Sequence, residues 1–124
     1  MKYLGTNLRQ LFRTYAERTV SPAIGANALT LDLALGEVFL VSKNGNMTTL
    51  TISNVPAATK GTTSFSLKTL ANGSSYTWTW PGSVKWASGT APTFTTTNGK
   101  RDWFTFVTDD GGTTWFGFVA GQNF

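Results

Sequence analysis

The chain has 124 residues, of which 13% are charged, with a net charge of +4 and neither Cys nor His. Cys/His zinc sites, His-containing triads, thiol nucleophiles and disulfide frames are therefore excluded, and a single domain accounts for the length. The charged fraction is about half the roughly 25% of an ordinary soluble domain, so part of the surface is expected to be covered by neighbouring chains.

The positive charge is concentrated at the start, where residues 1–20 hold Lys2, Arg9, Arg13 and Arg18 against Glu17. No apolar run follows these residues as in a signal peptide, and none approaches the roughly 18 residues of a membrane span. The spacing predicts a short amphipathic helix over residues 7–18. Leu4, Leu8, Leu11, Phe12 and Tyr15 form one stripe, and Arg9, Gln10, Arg13, Glu17 and Arg18 fall largely off it. Asn7 serves as N-cap with Gln10 three residues later, and Ser21 and Pro22 stop the helix. A helix this short is marginal alone in water. The stripe is expected to dock, either on its own domain or, as the favoured choice, on another chain. Arg9, Arg13 and Arg18 could track phosphates. The following sheet lacks the aromatic–basic interleaving of single-strand binders, so nucleic acid is not an expected partner.

From residue 27 the period changes to two. Leu29, Leu31 and Leu33 alternate with Thr30, Asp32 and Ala34 as on a half-buried strand, and Gly36 ends the run. The apolar run EVFLVS at 37–42 reads as a central strand, followed by a tight turn at 44–46. Further strands are expected at 48–53, at 63–70 with Phe65, Leu67 and Thr69 on one face, and at 75–80 with Tyr76, Trp78 and Trp80 on one face. Short strands at 84–86 and 93–97 follow, then 102–108 and 114–119, joined by Asp109, Asp110, Gly111 and Gly112 in a hairpin turn. About eight short strands of this kind make an all-β domain, a small β-sandwich or jelly-roll-like fold. Residues 1–22 are expected to be a helical docking segment and residues 23–124 the β-sandwich module.

The most distinctive text is TWPGSVKWASGTAPT at 79–93 and FTFVTDDGGTTWFGFVAGQNF at 104–124, which stays strand-like to Phe124. An end of that kind is expected to be tied into a sheet. The two blocks resemble the C-terminal module of tailed-bacteriophage fibre and appendage proteins, and a weaker likeness reaches back to about residue 28. The resemblance implies a virion structural subunit, trimeric, in a tail fibre or an appendage at the baseplate or neck, with host-surface contact included. Only a short helix precedes the module, so a capsid decoration protein stays open as an alternative, as does a carbohydrate-binding adhesin module. The expected partners are two further copies of the chain, other virion proteins through the N-terminal helix, and host cell-surface glycan.

Trp78, Trp80, Trp86, Trp103 and Trp115 are read first as core or subunit-interface rings, with a sugar-stacking platform as the alternative. Trp86 lies outside a long strand and is the ring expected to be exposed. With Asn98, Lys100, Asp109 and Asp110 it forms the candidate glycan contact. Asp109 and Asp110 read as turn chemistry. Two adjacent carboxylates cannot span a glycosidase cleft and fall short of the six to eight oxygens calcium takes. No catalytic residue, metal site or cofactor is expected.

Overall fold

A computed structural model of the chain describes residues 16–124. It is all-β. The strands are β1 (Thr19–Val20), β2 (Ala28–Asp32), β3 (Val38–Lys43), β4 (Thr49–Ser53), β5 (Thr63–Ala71), β6 (Val84–Trp86), β7 (Arg101–Thr108) and β8 (Trp115–Gly121). A six-stranded sheet has the order β1-β3-β5-β7-β8-β6, and β2 and β4 make a small second sheet. Among the described residues no helix is long and apolar enough to cross a membrane.

The first five strands alternate between the two sheets. β1, β3 and β5 lie parallel in the large sheet, while β2 and β4 lie parallel in the small one. Parallel neighbours need a crossover, most often a helix. Here a strand of the opposite sheet supplies it each time, so the chain winds as a flattened coil. After β5 the pattern changes: β5–β7 and β7–β8 are antiparallel, and β6 joins the edge parallel to β8. The result is β-sandwich-like, but its parallel pairs set it apart from a jelly roll, which is built from antiparallel Greek keys.

One core lies between the layers. Leu29 and Leu31 of β2 meet Phe39 and Val41 of β3, Phe65 and Leu67 of β5, and Phe104 and Phe106 of β7, all nearly or fully buried. Phe65 is the hub. Its ring stacks on Phe106 at 5.0 Å and meets Phe39 and Trp115 edge-on at 5.7 and 5.1 Å, offset geometries that favour the ring quadrupoles. The small sheet covers only part of the large one. Elsewhere the connection from β5 to β7 folds back over the inner face and lays Trp80, Trp86 and Phe94 on Phe104 and Phe106, with Trp78 packed edge-on against Trp80 and Phe94.

Two expected strands are not strands. Residues 75–80 keep the expected alternation, with Trp78 buried, Tyr76 and Trp80 half-buried and the intervening threonines exposed. Their backbone, however, hooks onto the corner between β3 and β4. Met47 N–H donates to the Thr77 carbonyl at 2.9 Å, Thr79 N–H to the Met47 carbonyl at 2.8 Å, and Thr77 N–H to the Asn46 side chain at 2.9 Å. Residues 93–97 pair with no strand, and Thr95 N–H donates instead to a carboxylate.

The expected N-terminal helix is not found among the described residues. Of the helix over residues 7–18, residues 16–18 have no helical structure, and residues 7–15 lie outside the described residues. Leu4, Leu8, Leu11, Phe12 and Tyr15, the expected docking stripe, lie outside them as well. The boundary expected after residue 22 falls beyond β1, which already belongs to the large sheet. The Arg18 carbonyl accepts from Glu37 and Val38 N–H at 3.1 Å each, and Arg18 N–H donates to the Glu37 carboxylate at 3.0 Å. Gly36 permits this approach, since a Cβ there would stand 2.6 Å from the Arg18 carbonyl oxygen.

Gly117 of β8 has the same role for the aromatic layer. A Cβ on it would lie 2.7 Å from the Trp86 ring. Gly117→Ala should lower the unfolding free energy by about 1–3 kcal/mol, the usual cost of overpacking. Gly82→Ala, where a Cβ meets open space, should leave it within about 0.5 kcal/mol. Urea unfolding followed by tryptophan fluorescence measures both.

Candidate functional site

A cleft of about 290 Å³ opens where the 75–80 and 91–96 segments face each other across the end of β3. Tyr76, Trp78, Trp80 and Phe94 supply its rings, Thr93 and Thr96 supply hydroxyls, and Lys43 lies at its base. Alternation on β3 accounts for the lysine. Phe39, Val41 and Lys43 share the inward face, so the last of them sends a charged chain under the aromatic layer. Lys43 is only 2% exposed. Its Nζ lies 4.0 Å from the centroid of Phe94 and 5.7 Å from that of Trp78, within cation–π reach.

The opposite charge nearby is Asp102, at the start of β7 and 1% exposed. Its oxygens are already engaged. Oδ2 accepts from Thr95 N–H at 2.7 Å and from Gln122 Nε2 at 3.1 Å, and Oδ1 accepts from Asn123 N–H at 3.0 Å. Gln122 also donates to the Thr93 carbonyl at 2.7 Å. One carboxylate thus joins β7, the loop bearing Phe94, and the C-terminal residues. Phe124 is tied down beside it by two backbone hydrogen bonds with Arg101, at 3.0 and 3.2 Å. Its side chain is exposed and packs over Gly121.

The electrostatics follow from this geometry. Burial pushes the Asp102 carboxyl up, but the hydrogen bonds from Thr95, Asn123 and Gln122 together outweigh it and hold the group below its ordinary value. Burial pushes the Lys43 ammonium down, and the charge of Asp102 restores part of that loss. Lys43 has no hydrogen-bond or ion-pair partner among the described residues.

The residues expected to touch glycan are not brought together. Asn98 and Lys100 lie exposed before β7, whereas Asp109 and Asp110 follow its far end. At about 3.3 Å per residue the eight-residue β7 keeps the two groups more than about 20 Å apart. Asp110 works within its turn. It accepts from Thr114 N–H at 2.8 Å and from the Thr108 hydroxyl at 2.9 Å, and the Thr114 backbone bond leads in drawing its carboxyl down. Gly111 and Gly112 complete the turn at φ of 71° and 91°, the left-handed region glycine adopts readily.

Trp86 is not the exposed ring. It packs against Trp80, Phe104 and Phe106 at 5.2–6.0 Å, and its buried indole Nε1 has no partner among the described residues. The exposed tryptophan is Trp103, 38% accessible on the outer face of β7, with Lys68 Nζ 4.7 Å from its ring centroid. Lys43 and Asp102 were missed as site residues. Alternation within their strands could have marked both as inward-facing, but nothing local shows that the end of β3 and the start of β7 lie one strand apart, on either side of β5.

Comparison with family models, curated proteins and solved structures finds no match.

Acid titration tests the Asp102 junction. An unfolded Asp titrates near 3.9. With the folded value depressed, the junction stabilises the protein fully above that pH and loses its contribution as pH falls through the folded value. Unfolding free energy should therefore drop below about pH 4. Asp102→Asn should flatten part of that drop, with Asp32 and Asp110, also depressed, keeping the rest. At neutral pH the variant should cost about 3 kcal/mol, because an amide NH₂ would face donors. Denaturant titrations at stepped pH read both effects.

Proposed function

We propose that the chain is a non-enzymatic structural subunit of a tailed-phage virion, built into a tail fibre or appendage as a homotrimer. The observation that carries this proposal is an uncovered apolar face. Trp103, Phe116 and Phe118 project from the outer side of β7 and β8, with exposures of 38, 45 and 54%. The register sets Phe116 beside Val107 and Phe118 beside Thr105, so the rings form one patch rather than scattered positions. Contiguous apolar surface of this kind marks an interaction site. Closed symmetric association is the common way for identical chains to cover it.

The virion reading draws on the resemblance of residues 79–93 and 104–124 to fibre-end modules. It is supported by the way these blocks fit together. The first contributes Trp80 and Trp86, the second Phe104, Phe106 and Trp115, and β6 of one pairs with β8 of the other. Gln122 of the second block bonds back to Thr93 of the first. Two blocks separated in sequence therefore make one packed unit, as a module should. The non-enzymatic role agrees with the bonded carboxylates, since Asp32, Asp102 and Asp110 each brace a turn or junction. Attachment to other virion proteins through the N-terminal segment, residues 1–22, belongs to the same proposal.

The purified chain should sediment as a trimer at concentrations on the order of tens of micromolar. Phe116→Asp with Phe118→Asp should yield monomers with unchanged circular dichroism. A monodisperse wild-type monomer would overturn the trimer. Immunogold labelling of particles checks placement. Label at the tail supports the fibre or appendage role, dense label over the head would make the chain a decoration subunit, and no label would remove it from the virion.

A further inference from the structure

The assembly role makes no use of the Lys43 cleft, which lies on the inner side of the large sheet. The cleft has three features that belong together in a ligand site. Its base is Lys43, a residue only 2% exposed, whose ammonium makes no hydrogen bond or ion pair among the described residues. Its walls carry half-buried rings, Tyr76 and Trp80 among them. Thr93 and Thr96, both with hydroxyl side chains, line the same opening.

We propose that this cleft binds a single sugar ring bearing a carboxylate, with the carboxylate received by Lys43 and the carbon face of the ring laid against Tyr76 and Trp80. A pyranose has an apolar face and an edge of hydroxyls. Rings flanked by threonine hydroxyls match both, since pockets of this kind combine apolar walls with a few placed polar groups. The anionic substituent is called for by Lys43. Charge-assisted hydrogen bonds are the strong ones, and Asp102 acts on Lys43 through its charge, with no hydrogen bond between the two among the described residues. A phosphate group is less well served, because among the described residues Lys43 is the only basic side chain lining the cleft and no arginine lies there. The volume of about 290 Å³ lies at the lower limit of small-molecule pockets, roughly 300–1,000 Å³, and suits one ring rather than a chain of them.

The site belongs to the single chain and does not rest on the virion reading. Three copies in one trimer would add avidity to a weak individual site. Trimer formation and sugar binding are read by separate measurements, so either can fail alone.

The test uses the whole purified chain. D-glucuronate, D-galacturonate and N-acetylneuraminate are titrated in turn, with D-glucose as the neutral control. Tryptophan fluorescence and saturation-transfer NMR report binding. At least one acidic sugar should give a saturable response in the millimolar range, with glucose at least about tenfold weaker. Lys43→Met should weaken the acidic sugar about tenfold or more while circular dichroism is retained. Tyr76→Ala, at the half-buried rim, should weaken it severalfold and serves as the second variant if Lys43→Met does not fold. Three results would each overturn the proposal: no saturable response of the wild type to any of the three acids, glucose binding as tightly as they do, or undiminished binding by a folded Lys43→Met or Tyr76→Ala variant.

Discussion

The buried carboxylate of Asp102 is the constraint on which the C-terminal half of the molecule depends. Among the described residues it has no ion-pair partner. It is stabilised by three donors from two segments: Thr95 in the loop before β7, and Gln122 and Asn123 after β8. A carboxylate taken out of water costs several kcal/mol unless its oxygens are satisfied, so these segments are held wherever Asp102 is held. Phe94 belongs to the loop so fixed, and with it the far wall of the cleft. Lys43 then sits close enough to feel the charge without competing for its oxygens.

The aromatic residues divide between two faces of one sheet, and the division follows strand alternation. Phe104, Phe106 and Trp115 turn inward and are covered by the folded-back connection, whereas Trp103, Phe116 and Phe118 turn outward. Both sides of β7 and β8 are thus apolar. A strand pair of this composition is expected where both faces are covered, yet the described residues cover only the inner one. The glycines at 117 and 121 allow rings to lie flat on the sheet where a methyl group would lift them.

Much of this was legible in the sequence. Period-two alternation located β2, β4 and β5, and turn-bounded short runs located β7 and β8, each to within one or two residues; the continuous run at 37–42 located β3. The Asp–Gly turn after β7 closes the expected hairpin. What was not legible is pairing. A turn such as 44–46 ends a strand equally well whether the next strand lies beside it or in the opposite layer, and here it is a corner between layers. The same limit explains residues 75–80. Their alternation is real, but the backbone partner is the corner at Met47, some thirty residues earlier. Trp86 was misjudged for a related reason. A three-residue strand looks peripheral in sequence, and only the parallel pairing with β8 brings its ring over Gly117.

The coiled winding of β1 to β5 also bears on the order in which the chain can fold. Each parallel pair in it joins strands separated by another strand of the other sheet, as in Val38 with Ser66 or Ala28 with Thr49. Such loops must close before their contacts repay the lost chain entropy. The hairpin of β7 and β8 closes over one short turn, which Asp110 and Thr108 already brace. It is the cheapest long pairing in the molecule to nucleate, and it presents an open edge to β5. Added to that edge, β5 offers the next to β3, and β3 to β1. The order of assembly then runs from β7 and β8 back through β5 and β3 to β1, opposite to the order in which these strands are synthesised.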